Sequence, residues 1–121
     1  MSGIAFLKSK RFAIRIVRLY SYLRQEKQEF VMSKQLLRSG TSIGANLAEA
    51  EYAVSRSDFQ SKAYIALKET SETQYWLELL YNTGYLDAQQ YSSIYHDAEE
   101  IRRMLSSSTK TLKERASGSR V

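Results

Sequence analysis

The chain has 121 residues, 43% apolar and 12% aromatic, and 18 Lys and Arg against 13 Asp and Glu give it a net charge of +5. It has no cysteine, no proline, 5 glycines and 1 histidine, which excludes disulfide frameworks, thiolate metal sites, a Cys nucleophile and a His-rich metal centre, and leaves few turn-forming residues for a β-rich domain. The N-terminal apolar run breaks at Lys8 with no cleavage-like site, and no stretch approaches the roughly 18 apolar residues of a membrane span, so a soluble, cytoplasmic all-α protein with no membrane association is expected.

The first predicted helix covers residues 4–24, where Phe12, Ile16, Leu19 and Leu23 share one arc and Ala13 and Tyr20 flank it. The run at 25–29, QEKQE, loses that period and reads as a connection. A second helix is predicted over 33–53, with Ser33 as N-cap and a stripe of Leu36, Ile43, Leu47, Ala50 and Val54. Gly40, Gly44 and Ala48 recur every fourth residue beside that stripe. Glycine within a helix costs about 1 kcal/mol relative to alanine, so close approach of another helix is expected there, within the bundle or across a subunit seam.

The third helix is predicted over 57–82, with Ser57 as cap, Gln60 at the capping-box position and Gly84 suited to a left-handed terminus. Phe59, Ala63, Ala66, Leu67, Leu77 and Leu80 form its core face. Ile65, Glu69, Glu72 and Trp76 form a second stripe about a quarter turn away, and Tyr64, Tyr75 and Leu79 lie further round. A helix apolar on several sides is usually buried, and so short a chain has little material to cover it. Self-association is therefore expected, with Ile65, Trp76 and Leu79 in the interface.

The fourth helix is predicted over 87–115, opening on Asp87 with Gln90 three residues on and carrying Ile94, Ala98, Ile101, Leu105 and Leu112. The remainder, ASGSRV, is small and polar and is expected to fray, giving a domain at 1–116 and a flexible tail at 117–121. Short connections favour antiparallel neighbours, hence an up-down-up-down four-helix bundle.

Charge is segregated along the chain. Residues 1–27 carry seven basic groups and one acid, residues 28–101 five basic and eleven acidic groups, and residues 102–121 six basic groups and one acid, for nets of +6, −6 and +5. In an up-down bundle the first and last helices are antiparallel neighbours, so the two basic blocks should merge. Arg11, Arg15, Arg18 and Tyr22 fall on one stripe of the first helix, and Lys8, Arg103, Lys110 and Lys113 extend the candidate surface. Guanidinium groups and an aromatic ring along one line suit a nucleic-acid backbone with splayed bases. The alternative is a solvated face whose arginines pair with the acidic middle of another subunit.

Glu49, Glu51, Glu69, Glu72 and Glu78 lie on adjacent predicted helices, but no histidine is near them in sequence, and Arg38, Lys62 and Lys68 offer structural ion pairing. His96 reads as a surface residue, and the hydroxyls of Ser39, Thr41, Ser42, Ser71 and Thr73 have no histidine to activate them. Gly40 and Gly44 lie inside a helix with no Gly-Lys-Ser or Gly-Lys-Thr after them, so they make no phosphate cradle. Trp76 and the nine tyrosines suit aromatic packing better than a ligand pocket. No enzyme, metal site or cofactor is expected.

The run Arg38-Ser39-Gly40-Thr41-Ser42-Ile43-Gly44-Ala45-Asn46 with Glu49-Ala50, then Ser57-x-Phe59 and Lys68-Glu69-x-x-Glu72-Thr73-x-Tyr75-Trp76-Leu77, resembles the bacterial four-helix bundle protein family. That family includes proteins encoded in intervening sequences of large-subunit ribosomal RNA genes, and its relatives include accessory variability determinants of diversity-generating retroelements. The resemblance is strong over residues 35–86 and implies a ring-like homopentamer without established enzymatic activity. For the retroelement relatives it further implies a basic surface that engages RNA or DNA together with a reverse transcriptase. A non-enzymatic, homo-oligomeric RNA-binding accessory factor is the expected function, and a protein-interaction scaffold is the alternative.

Overall fold

The 3.6-residue apolar periods of the sequence become four helices: α1 (Gly3–Gln25), α2 (Met32–Ala50), α3 (Arg56–Asn82) and α4 (Ala88–Gly118). The computed structural model of the chain describes residues 3–118, with side chains as far as Thr109, and no strand occurs among the described residues. Each helix packs on the next and α1 meets α4, while α1 and α3, like α2 and α4, occupy opposite corners. Every neighbour is antiparallel. Along α1 and α2, Ser9 faces Gly44 and Ile16 faces Gly40; along α2 and α3, Glu49 pairs with Lys62 and Arg38 with Glu72; along α3 and α4, Gln74 meets Glu99 and Glu78 meets Tyr95.

The core holds the expected stripes apart from Phe59, which is half-buried outside the core cluster, and Phe12, Ile16, Leu23, Leu36, Ile43, Leu77, Leu80, Ile101 and Leu105 are essentially inaccessible. Ser9, Ser39, Thr70 and Thr73 are buried with them. Buried hydroxyls are tolerated only when bonded, and these are: Ser9 Oγ donates to Phe6 O at 2.7 Å, Thr70 Oγ1 to Ala66 O at 2.8 Å, and Thr73 Oγ1 contacts both Glu69 O and Ser39 Oγ. The bond between Thr73 and Ser39 ties α3 to α2 inside the core.

Both ends of α2 and the start of α3 depart from the sequence expectation. Ser33 is not the cap of α2: it lies inside the helix, buried, with its hydroxyl donating to Glu29 O. The free N–H groups of Val31, Met32 and Ser33 donate instead to the Glu29 carboxylate, at 3.0, 2.8 and 2.7 Å. α2 also stops at Ala50, short of the expected 53, which leaves Val54 92% exposed rather than in the apolar stripe. α3 begins one residue early because Ser55, not Ser57, accepts from Asp58 N, and Asp58 in turn accepts from Val54 N.

The other two signals hold. Asp87 and Gln90 cap each other reciprocally, at 2.9 and 2.7 Å, and Gly84 takes φ +88° where Tyr85 N closes back on Leu80 O, the wide terminal turn that glycine permits. α4 continues to Gly118, beyond the expected end at 115. Residues 119–121 of the expected tail, and the side chain of Leu112, lie outside what is described.

Candidate nucleic-acid interface

α1 turns its arginine-bearing edge toward α4, and the two helices meet less closely than any other neighbouring pair. Lys8 donates to Glu100 at 3.1 Å. One turn past Arg11, Arg15 is held at three points: Nη1 donates to Asp97 Oδ2 at 2.5 Å and to Ser93 O at 3.3 Å, and Nη2 to Ser93 Oγ at 2.9 Å. Arg11 and Arg18 are exposed and have no carboxylate partner among the described residues. Tyr22, half-buried, packs against the core at the far end of the stripe.

Two clefts open along this seam, one on each side of the bond between Arg15 and Asp97. The first, about 190 Å³, is lined by Lys8, Arg11, Phe12, Asp97, Glu100 and Ile101. Its two cations face two carboxylates. The second, about 300 Å³, is lined by Arg15, Arg18, Leu19, Tyr22, Gln90 and Ile94, with no carboxylate among them. Gln90 and Ile94 do not stand out in the sequence as site residues, because their proximity to the stripe depends on how α4 is rotated against α1, and Leu19 reads there as a core residue.

Arg103 does not join the α1 stripe. Its Nε donates to Glu99 at 3.1 Å, and Glu99 accepts from Gln74 of α3, so Arg103 belongs to the side of α4 turned away from α1. Arg102 grips the same carboxylate with both Nε and Nη2 at 2.7 Å. That bidentate contact, with Gln74 and Arg103 behind it, holds Glu99 well below the usual carboxylate range. Lys110 and Lys113 have side chains outside the described residues.

The residues that carried the family resemblance serve a different purpose: they clamp α2 to α3. Arg38 donates to Glu69 at 3.3 Å and to Glu72, and Trp76 Nε1 donates to Glu72 at 3.0 Å. The indole bond and Arg38 together keep the Glu72 carboxyl below its ordinary value against the opposing effect of burial. Lys62 pairs with Glu49 at 3.1 Å, and Glu78 accepts from the Tyr95 hydroxyl at 3.3 Å. Glu49, Glu69 and Glu72 thus pair with Lys62 and Arg38, two of the partners the sequence offered.

Gly40 and Gly44 face α1 within the protomer: a Cβ on Gly40 would stand 2.8 Å from Ile16 Cγ1 and Cγ2, and one on Gly44 3.2 Å from Ser9 Oγ. Ala48 continues that line, half-buried. Of the expected interface residues on α3, Ile65 is 38% exposed, while Trp76 and Leu79 are half-buried.

The sequence model of the 23S rRNA-intervening sequence protein family matches residues 4–107, which hold both clefts and the clamp between α2 and α3. A crystal structure of a protein of unknown function from the S23 ribosomal protein family of Bacteroides thetaiotaomicron is 58% identical, with a TM-score of 0.86 over 88% of this chain and 98% of that one. No curated protein matches the chain.

Proposed function

The chain belongs to the 23S rRNA-intervening sequence protein family, and from that premise we propose that it is a non-enzymatic, self-associating accessory protein that binds RNA through the arginine-bearing edge of α1. The observation that carries this reading is the state of Arg11 and Arg18. Both are exposed and without a carboxylate partner among the described residues, seven residues and so about 10 Å apart along one helix face. Lys8 and Arg15 contribute less, because Glu100 and Asp97 neutralise them. The pair at Lys8 is exposed and of the kind worth only about 0–1 kcal/mol, so it can rearrange around a phosphate, whereas Arg15 is held at three points.

The engagement of Glu49, Glu69 and Glu72 in ion pairs supports a non-enzymatic role. The family's name, which refers to intervening sequences of 23S rRNA, makes RNA the nucleic acid to test before DNA. A reverse transcriptase is a further partner that only the resemblance suggests. The scaffold reading draws on a separate observation, the exposure of Leu7, Ile14 and Val17 on α1, and self-association accommodates it.

Filter binding of single-stranded RNA across salt concentrations tests the proposal. Log affinity should fall nearly linearly with log salt, and replacing Arg11 and Arg18 by Gln should flatten the slope by about 0.7 for each phosphate that is no longer neutralised. Helicity should be unchanged, since Gln is a comparable helix former. Absence of binding by the wild-type chain at low salt would leave the scaffold reading in its place.

A further inference from the structure

Resting on the RNA reading, we infer that the larger cleft between α1 and α4 is a subsite for one unpaired nucleotide of a bound strand, its base entering against Leu19, Tyr22 and Ile94 and its phosphate lying on Arg18. The composition of the cleft selects this occupant. Ile94 is buried and Leu19 and Tyr22 are half-buried, so the floor is apolar, and at about 300 Å³ the cleft has the volume of a small-ligand pocket. The polar groups at its mouth are donors. Arg18 has five N–H groups and no acid beside it among the lining residues.

Gln90 supplies a second donor because its two amide atoms have separate tasks. Its Oε1 accepts from Asp87 N at 2.9 Å as part of the α4 cap, which leaves the side-chain NH₂ for a base carbonyl or ring nitrogen. Arg15 forms one wall. Its bonds to Asp97 and Ser93 fix a planar cation in place, and unpaired bases stack on such planes and on aromatic rings. A flat body with hydrogen-bond acceptors on its edge and an anion at one end fits these features together, and a nucleotide has all three. The neighbouring cleft is smaller, and Asp97 and Glu100 at its rim would repel a phosphate. A strand whose base enters the larger cleft still passes Arg11, which separates this ligand from a free mononucleotide that reaches Arg18 alone.

The test is fluorescence anisotropy with an end-labelled 12-nucleotide oligouridine and a ribose-phosphate strand of equal length without bases. Removing the bases should weaken binding about tenfold, in the range found for base–aromatic stacking, without changing the salt slope, because the phosphates are the same. Tyr22→Leu should bring the affinity for oligouridine close to that of the abasic strand. Gln90→Glu is the second variant. Glu serves the capping box as well as Gln does, so the helix is retained while a donor becomes a carboxylate, and oligouridine binding should fall several-fold.

Equal affinity for the two strands, or wild-type affinity in both folded variants, would overturn the nucleotide subsite and leave the phosphate contacts standing. Failure of either strand to bind at low salt would instead overturn the RNA reading itself. Uridine monophosphate competing as well as the strand, at equal nucleotide concentration, would assign the cleft to free nucleotides and also overturn the inference.

Discussion

Glu29 caps α2 although it lies outside the helix, and the geometry gives it a pH signature. Burial by itself would push its carboxyl up, but N–H donors from Met32, Ser33 and Val31 outweigh that and hold it below its ordinary value of 4.5. A carboxyl with a lowered folded-state pKa contributes stability that is complete above the unfolded value and is lost as pH falls through the folded one. The melting temperature should therefore hold steady above about pH 5 and fall below about pH 4.5, more steeply for wild type than for Glu29→Gln. At neutral pH, Glu29→Ala leaves the N–H groups of Val31, Met32 and Ser33 at the start of α2 without their acceptor and should cost about 1–3 kcal/mol in urea unfolding. Equal unfolding midpoints for the variant and wild type would show that water replaces the cap. The sequence pointed to Ser33 because serine is the usual cap. What makes Glu29 the cap is the turn at 26–31, with Gln28 at φ +54°, and that path is not encoded in a local preference.

At the scale of the helix, the glycine pair on α2 sets how closely α1 can lie. The two sites are unequal. At Gly40 a Cβ would collide with both γ-carbons of Ile16 at 2.8 Å, close to the backbone of a buried branched side chain, whereas at Gly44 it would press on the Ser9 hydroxyl at 3.2 Å. Overpacking costs about 1–3 kcal/mol, and replacing glycine within a helix returns about 1 kcal/mol. Gly40→Ala should therefore destabilise by up to about 2 kcal/mol and Gly44→Ala should be close to neutral. Ile16→Ala removes the obstructing carbons, so in that background Gly40→Ala should become stabilising. A double-mutant cycle by thermal unfolding reads this change of sign, and additive effects would rule out the contact as the reason for the glycine. These elements were legible in the sequence because burial on one face leaves a 3.6-residue period, and glycine every fourth residue marks a close approach. Which helix approaches was not legible, and neither were Thr70, Thr73 and Gln74, polar residues whose burial depends on bonds that only the assembled bundle supplies.

For the whole molecule, the arginine stripe of the candidate site was legible from spacing alone, but its electrostatic state was not. Asp97 and Glu100 come from the acidic middle of the sequence and fold back onto Arg15 and Lys8, and Arg103 turns toward Glu99. The segregated charge is thus partly cancelled within one chain. The apolar surface is not covered in the same way. On α1, Leu7, Ile14 and Val17 are 56%, 46% and 47% exposed, on an edge about a quarter turn from Arg15, Arg18 and Tyr22. On α3, Tyr64, Ile65 and Tyr75 are exposed as well. These helices sit at opposite corners of the bundle, so a two-fold dimer would cover one patch and leave the other in water. Packing the α1 edge of one subunit on the α3 face of the next covers both, and such a head-to-tail contact closes a ring when its rotation permits. The arginine edge would stay open to RNA around that ring. Light scattering should therefore give a mass well above both the 14.0 kDa chain and its dimer, with five copies the number the resemblance suggests, and the mass should persist at high salt because the contact is apolar. Leu7→Lys with Ile14→Lys should yield a helical monomer, since both positions face solvent in the single chain. A wild-type chain that scatters as a monomer at every concentration would show that these patches have another occupant.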